Sequence, residues 1–252
     1  MQRNLNKIEY SIILPTLNEQ GHIIQLICFI KKIFFNERFE IIVIDDGSTD
    51  GTQEKLKKFS KKNSYVKFFL RKKKPNLAES LNEGIRVSIG ENIIWMDADF
   101  SHPPNYLQIF IKESKNDKYD AIIFSRYFQF FKKYDFYKAK SLISNLSFFL
   151  SLLCRLLIFN KITDYTSGFV LIKSSVIKKI KLHGYYGEYF IYLVFDLLIR
   201  KKKIKEIYYQ EKKRRSGFSK TTSNKLDFLI KCFFIFLSII RCSSYKIFKK
   251  FI

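Results

Sequence analysis

The chain has 252 residues, 47% of them hydrophobic, which suffices for one large core and allows one large α/β domain or two small ones. With 46 Lys and Arg against 23 Asp and Glu, its formal net charge of +23 calls for an anionic partner: nucleic acid, an acidic lipid surface or a phosphorylated substrate. Cys28, Cys154, Cys232 and Cys242 form no Cys-x-x-Cys pair and have no histidine at metal spacing, so they are expected to be reduced and to pack as small hydrophobes.

In chain order, polar residues 1–7 lead straight into a strand pattern at 10–14, with no signal-peptide pattern, so the chain is expected on the cytosolic side. A helix follows, with Ile23, Ile24, Ile27, Ile30 and Phe34 at three- and four-residue spacing. Strands are expected at 39–44 and 66–70, then a helix carrying Leu77, Leu81 and Ile85 that ends before Gly90, then a strand at 92–96. Pro103 and Pro104 open a helix carrying Tyr106, Leu107 and Phe110, and strands at 121–124 and 169–173 complete the series. Apolar runs alternating with helical patterns to about residue 198 predict an α/β fold of βαβ units around a mostly parallel sheet.

Two later stretches differ in kind. Residues 141–159 are long and apolar with Arg155 embedded, and residues 226–240 are apolar but interrupted by Asp227 and Lys231. Crossing a bilayer takes roughly 20 apolar residues. These stretches are shorter or charged and lie among basic clusters, so they are expected to lie in a membrane interface against anionic lipid, with ordinary core helices as the alternative. The domain reading is a catalytic unit over 1–222 and a membrane-associating helix and tail over 223–252.

In an open parallel sheet, ligands bind beyond the carboxyl ends of the strands. Three loops there carry carboxylates: Leu14 to Glu19, Asp45 to Thr52, and Asp97-Ala98-Asp99. Any one of these could be a turn or a helix cap; three in series point to a site. Aspartates at i and i+2 just past a strand suit a hard ion, Mg²⁺ or Mn²⁺, that also holds phosphate oxygens.

The ordered segments LPTLNE, VIDDGSTDGT, MDADFSHPP, SRY and DYTSGF, with Arg214 and Lys220 at R-x5-K spacing, resemble the inverting family-2 glycosyltransferases. In detail they resemble the dolichol-phosphate mannose synthase group, over about residues 10–220. The resemblance implies a single Rossmann-like nucleotide-sugar domain of the GT-A type. It implies a donor pocket of Pro15, Leu17, Glu19, Val43, Asp45, Asp97, Ala98 and Asp99, with Arg126, Arg214 and Lys220 facing the donor phosphates. Asp97, Asp99 and Ser101 would hold the metal, and Asp97, Asp99 and Arg126 would carry the chemistry. Ser101 stands where several relatives have Gln, and Leu17 where many have Tyr.

Lys140 and Ser144, with Arg126, would contact the phosphate of a lipid acceptor; Lys140 replaces an Arg, keeping charge but losing two-point geometry. The implied reaction moves a hexose, mannose from GDP-mannose being favoured, to polyprenyl phosphate at the cytoplasmic face of a membrane. Glucosyl or other hexosyl transfer from a UDP-sugar is the alternative. A lipid phosphate is already ionised at neutral pH, so none of His22, His102 and His183 is needed as a base; His102 is expected to serve the turn, and the other two the surface or packing. Transfer to a sugar hydroxyl would need a base, and the ED-type segment that supplies one is not evident near Glu188. A nucleic-acid-binding protein is disfavoured, since the cations cluster beside apolar helices and no finger, helix-turn-helix or RNP pattern appears.

Overall fold

The computed structural model describes residues 7–133, 142–212 and 225–248, and side chains of its two late helices from Leu146 and Ile230 onward. In chain order the elements are β1 (Tyr10–Thr16), α1 (Ile23–Ile33), β2 (Phe39–Asp45), α2 (Thr52–Lys62), β3 (Val66–Leu70), α3 (Leu77–Val87) and β4 (Asn92–Trp95). A 3₁₀ turn at Pro104–Tyr106 leads into α4 (Leu107–Ser114), then β5 (Ala121–Ser125), α5 (Phe128–Lys133) and α6 (Leu142–Leu157). The chain continues through β6 (Val170–Lys173), α7 (Ser174–Ile177), α8 (Tyr189–Ile199), β7 (Ile204–Tyr208) and α9 (Lys225–Phe248).

The strands form one seven-stranded sheet in the order β3-β2-β1-β4-β6-β5-β7, parallel except for β6, which runs against both β4 and β5. Successive strand residues point to opposite faces, which sorts the apolar positions into two layers. Ile12, Leu14, Ile41, Val43, Ile94 and Phe124 pack with α1 and α4 on one face. Ile13, Ile42, Ile44, Ile93, Trp95 and Val170 pack with α3, α6, α8 and α9 on the other. Burial on both faces accounts for the nearly continuous apolar runs of β1, β2 and β5. Close approach tightens the second layer: a Cβ on Gly84 of α3 would come within 2.6 Å of the Ile13 side chain.

The structure adds a strand that the sequence pattern does not announce. β7 has the sequence Ile-Lys-Glu-Ile-Tyr within a strongly basic stretch and is only half-buried, so its periodicity is weak; pairing with β5 makes it a strand. α9 shares one apolar cluster with α6 and α8 through Ile239 and Cys242, so one face of the C-terminal helix is built into the core. Its other face leaves Phe233, Phe236, Ile240 and Ile247 exposed, as α6 leaves Phe149, Leu152 and Leu156. Among the described residues, no helix is long and apolar enough to cross a membrane. Arg155, embedded in the apolar α6, donates to the carbonyls of Asn160 and Ile162, both at 2.9 Å, just past the helix end. All four cysteines are free thiols, and burial pushes Cys242 up to about 12.

A candidate active site at the carboxyl end of the sheet

The loops after β1 and β2 are laced into one unit. Asn18 N–H donates to Ser48 Oγ at 2.7 Å, Glu19 N–H to Thr52 Oγ1 at 2.9 Å, and Thr49 N–H to Asn18 Oδ1 at 2.8 Å. Asp45 is fully buried and committed to its own loop: its carboxylate accepts from the amides of Gly47 and Ser48 at 3.1 and 2.8 Å and from the Ser48 hydroxyl at 2.5 Å. Its neighbour Asp46 pairs with the buried Arg71 and accepts the Asn76 amide at 2.5 Å. Burial pushes the Asp46 carboxyl up, against the pull of these partners.

The loop after β4 is held from both sides. Asp97 N–H donates to His102 Nδ1 at 3.0 Å, which leaves the ring proton on Nε2, and the imidazole stacks on Phe169 with ring centres 4.8 Å apart. Ser101 N–H donates to Asp99 Oδ1 at 2.9 Å. Phe100 takes a left-handed φ of 66° and turns inward, edge-on to both His22 and Phe29 at 6.0 Å. His22 in turn sits 2.7 Å from the Glu19 carboxylate, both buried, so the β1 loop and the β4 loop share one buried joint.

Antiparallel β6 decides what lies opposite. Because β6 begins at the end where β4 finishes, with Val170 beside Trp95, the turn over residues 163–168 arrives next to Asp97. Gly168 sits there at φ 70°, where a Cβ would come within 3.3 Å of the Tyr189 hydroxyl. That hydroxyl accepts the Trp95 indole N–H at 3.3 Å. Burial and then the nearby Asp97 charge push the Tyr189 phenol well up, so it stays protonated beside the carboxylate. Arg126, just past β5, is directed onto Asp164 and also donates to Thr166 Oγ1 at 2.6 Å; its remaining nitrogen lies 3.6 Å from Glu211. Glu206 on β7 braces the same turn, accepting from the Thr163 amide at 2.8 Å and hydroxyl at 2.9 Å.

The sequence candidates thus separate into groups. Asp97, Ala98, Asp99 and Ser101 form one loop, with Pro15, Leu17 and Glu19 on the neighbouring strand end. Val43 is fully buried in the apolar layer, and only its place two residues before Asp45 ties it to the loops. Asp45 and Arg126 spend their charged groups on the protein itself. Lys140, Arg214 and Lys220 lie outside the described residues, as does the side chain of Ser144 in α6. The approach to Arg214 is nevertheless visible: Lys212 N–H donates to the Ser101 carbonyl at 3.0 Å, so the chain enters that basic segment at the Asp97–Asp99 loop.

Sequence reasoning left Tyr189 without a role at the loop, gave none to Glu206, and gave Trp95 none beyond its place in the loop segment. Trp95 carried a signal as the single tryptophan of the chain at a strand end; Glu206 carried none. His22 and His102 are buried, in packing and turn positions, whereas His183 is exposed.

Asp97 and Asp99 offer the hard carboxylate oxygens that Mg²⁺ or Mn²⁺ takes. Among the described residues, no cluster of three or more His, Cys, Asp or Glu converges, so this pair would hold an ion only together with oxygens from water and a bound diphosphate. Beside the loop, a pocket of about 300 Å³ is lined by Phe29, Phe100, Pro103, Gln108 and Lys212 among others.

The chain is 31% identical over 176 residues to a dolichol-phosphate mannosyltransferase of Pyrococcus furiosus, covering 70% of this chain and 49% of that protein, so it spans about half the relative's length. An uncharacterized protein of Methanocaldococcus jannaschii is 30% identical over 226 residues, covering 85% of this chain and 93% of its own. A cholesterol galactosyltransferase of Borreliella burgdorferi is 36% identical over 92 residues, covering 36% of this chain and 25% of its own. In fold, the chain is similar to the glucosyl-3-phosphoglycerate synthase of Mycobacterium tuberculosis crystallised with Mn²⁺, UDP-glucose and phosphoglyceric acid. The TM-score is 0.72 at 17% identity, covering 94% of this chain and 80% of that one. The profile described as Glycosyl transferase family 2 matches residues 11–181, well over half of the sequence, and the chain belongs to that family of glycosyl-transferring enzymes.

Proposed function

We propose that this glycosyltransferase moves a hexose, in the first instance mannose from GDP-mannose, to a polyprenyl phosphate with inversion, at the cytoplasmic face of a membrane. The observation that carries the reading is the pairing of the Asp97–Asp99 loop with helices α6 and α9 that expose Phe149, Leu152, Leu156, Phe233 and Phe236 in one chain of net charge +23. A soluble acceptor gives no reason for these apolar rows. Two relatives support a lipid acceptor by name, one for dolichol phosphate and one for cholesterol.

In this reaction the bond from the sugar's anomeric carbon to the nucleoside diphosphate breaks, and a bond to an oxygen of the lipid phosphate forms. The attacking phosphate is already ionised, so the protein's work is positioning and charge stabilisation rather than proton removal. Asp97 and Asp99 would hold Mg²⁺ or Mn²⁺, whose chemistry when bound is to neutralise charge on the departing diphosphate. The β1 and β2 loops, with Pro15, Leu17 and Glu19 and fixed from within by Asp45, would seat the nucleotide, and the segment beginning at Lys212 would bring Arg214 and Lys220 to its phosphates. Arg126 would serve as anchor of the 163–168 turn, and Lys140 and Ser144 would meet the acceptor phosphate.

Purified protein with Mn²⁺ or Mg²⁺, labelled GDP-mannose and polyprenyl phosphate should give a solvent-extractable glycolipid. Label found on saccharide acceptors alone would sink the reading, and UDP-glucose in the same assay tests the alternative donor.

A further inference from the structure

Beyond the carboxylate loop, α8 and α9 enclose a cleft of about 590 Å³. Its floor is apolar, built from Tyr192, Phe195, Ile199 and Cys242, while Arg200, Arg241 and His183 stand around it with a single carboxylate, Asp196. Both arginines are exposed. Apart from the longer-range attraction between Arg200 and Asp196, neither guanidinium has an ion-pair or hydrogen-bond partner among the described residues. Two guanidiniums facing one carboxylate leave the cleft with surplus positive charge, and their planar forks match phosphate oxygens.

The cleft is not part of the reaction centre. Tyr189, at the start of α8, lies beside Asp97, whereas Arg200 stands eleven residues further along, roughly 16 Å at the α-helical rise. What it adjoins is apolar. On α9, Arg241 flanks the face that exposes Phe233 at 61%, Phe236 at 51% and Ile240 at 43%. A free inorganic anion would use the guanidiniums and leave that face and the aromatic floor in water. A phosphate carrying an apolar chain uses both.

We propose that the cleft binds the headgroup phosphate of an anionic membrane lipid, with Arg200 and Arg241 on its oxygens and the lipid chains along the exposed face of α9. This rests on the membrane-surface reading above and adds to it a defined lipid site separate from that of the acceptor.

The test is flotation of the full chain with phosphatidylcholine vesicles, with and without phosphatidylglycerol. The comparison sets wild type against R200Q/R241Q and against K61Q/K62Q, which removes the same charge from exposed positions at the end of α2. At about fivefold per cation near an anionic surface, R200Q/R241Q should lose roughly 25-fold in partition onto phosphatidylglycerol vesicles, with its melting temperature unchanged. K61Q/K62Q should lose less than about twofold, since its charges make no lipid contact. Equal partition of wild type and R200Q/R241Q would overturn the cleft assignment while leaving the membrane reading standing, and absence of wild type from all vesicles would overturn both. Glycerol 3-phosphate binding that R200Q/R241Q loses, with no gain in wild-type flotation from phosphatidylglycerol, would reassign the cleft to a soluble phosphate ester.

Discussion

Arg126 meets Asp164 at two points, Nε to Oδ2 at 2.8 Å and Nη2 to Oδ1 at 2.9 Å, with Asp164 fully buried. The pair staples the end of β5 to the turn that leads into β6. Burial alone would push the Asp164 carboxyl up, but the Arg126 charge and hydrogen bonds hold it below the ordinary range. Asp164→Asn should therefore cost about 3–5 kcal/mol in chemical denaturation, because it leaves a guanidinium without its counter-charge. For an acid with a lowered folded value, the stabilisation is complete above the ordinary Asp range and is lost as pH falls through the folded value. The variant should show a flatter acid limb. A change under about 1 kcal/mol would mean that Glu211 or water replaces the pair.

Glu206 carries the opposite sign in the same corner. Burial pushes it up to about 7, more than its bonds to Thr163 and Asp164 pull it down. A raised acid stays protonated in the folded protein while the unfolded chain has already ionised, so stability falls as pH rises from about 4.5 to about 7 and levels off above. Denaturation curves of wild type and Glu206→Gln across this window should diverge, with only the wild type declining on this account. Parallel curves would mean that Glu206 titrates as an ordinary glutamate.

Asp99→Asn should abolish transfer while the fold persists. Asparagine keeps an oxygen for the Ser101 amide but loses the charge that a divalent ion needs. The expected loss is on the order of 10³ in rate, with the melting temperature within about 3 °C of wild type. Full activity in this variant would remove the metal role from Asp99.

The two faces of α9 should separate stability from membrane binding. Ile239 is fully buried against α6 and α8, and Ile239→Ala should cost about 2–5 kcal/mol in urea denaturation. Phe236 is half exposed, so Phe236→Ser should leave the denaturation midpoint nearly unchanged and weaken flotation with vesicles. If both variants behaved alike in both assays, α9 would not have two distinct faces in solution.

Much of the architecture was legible because it is local. Strand candidates at 10–14, 39–44, 66–70, 92–96, 121–124 and 169–173 each fall on an observed strand, and Pro103-Pro104 stands where a 3₁₀ turn opens α4. β7 escaped notice because Lys205 and Glu206 interrupt its apolar pattern, and only its partner β5 makes it a strand. Ile239 and Cys242 of α9 pack in the same apolar cluster as Leu150 and Cys154 of α6, a contact that the apolar runs alone do not specify.

Periodicity and turn chemistry depend on neighbours a few residues away, so the order of six of the seven strands, the three carboxylate loops and the end of the sheet that carries them were determined by the sequence alone. Which charges remain for a ligand was not. Asp45 is consumed by Ser48, Asp46 by Arg71, and Arg126 by a residue 38 positions away, while the reversed direction of β6 brings Gly168 and Tyr189 to Asp97. Pairings at such separations cost chain entropy that only the assembled core offsets, so tertiary structure decided them.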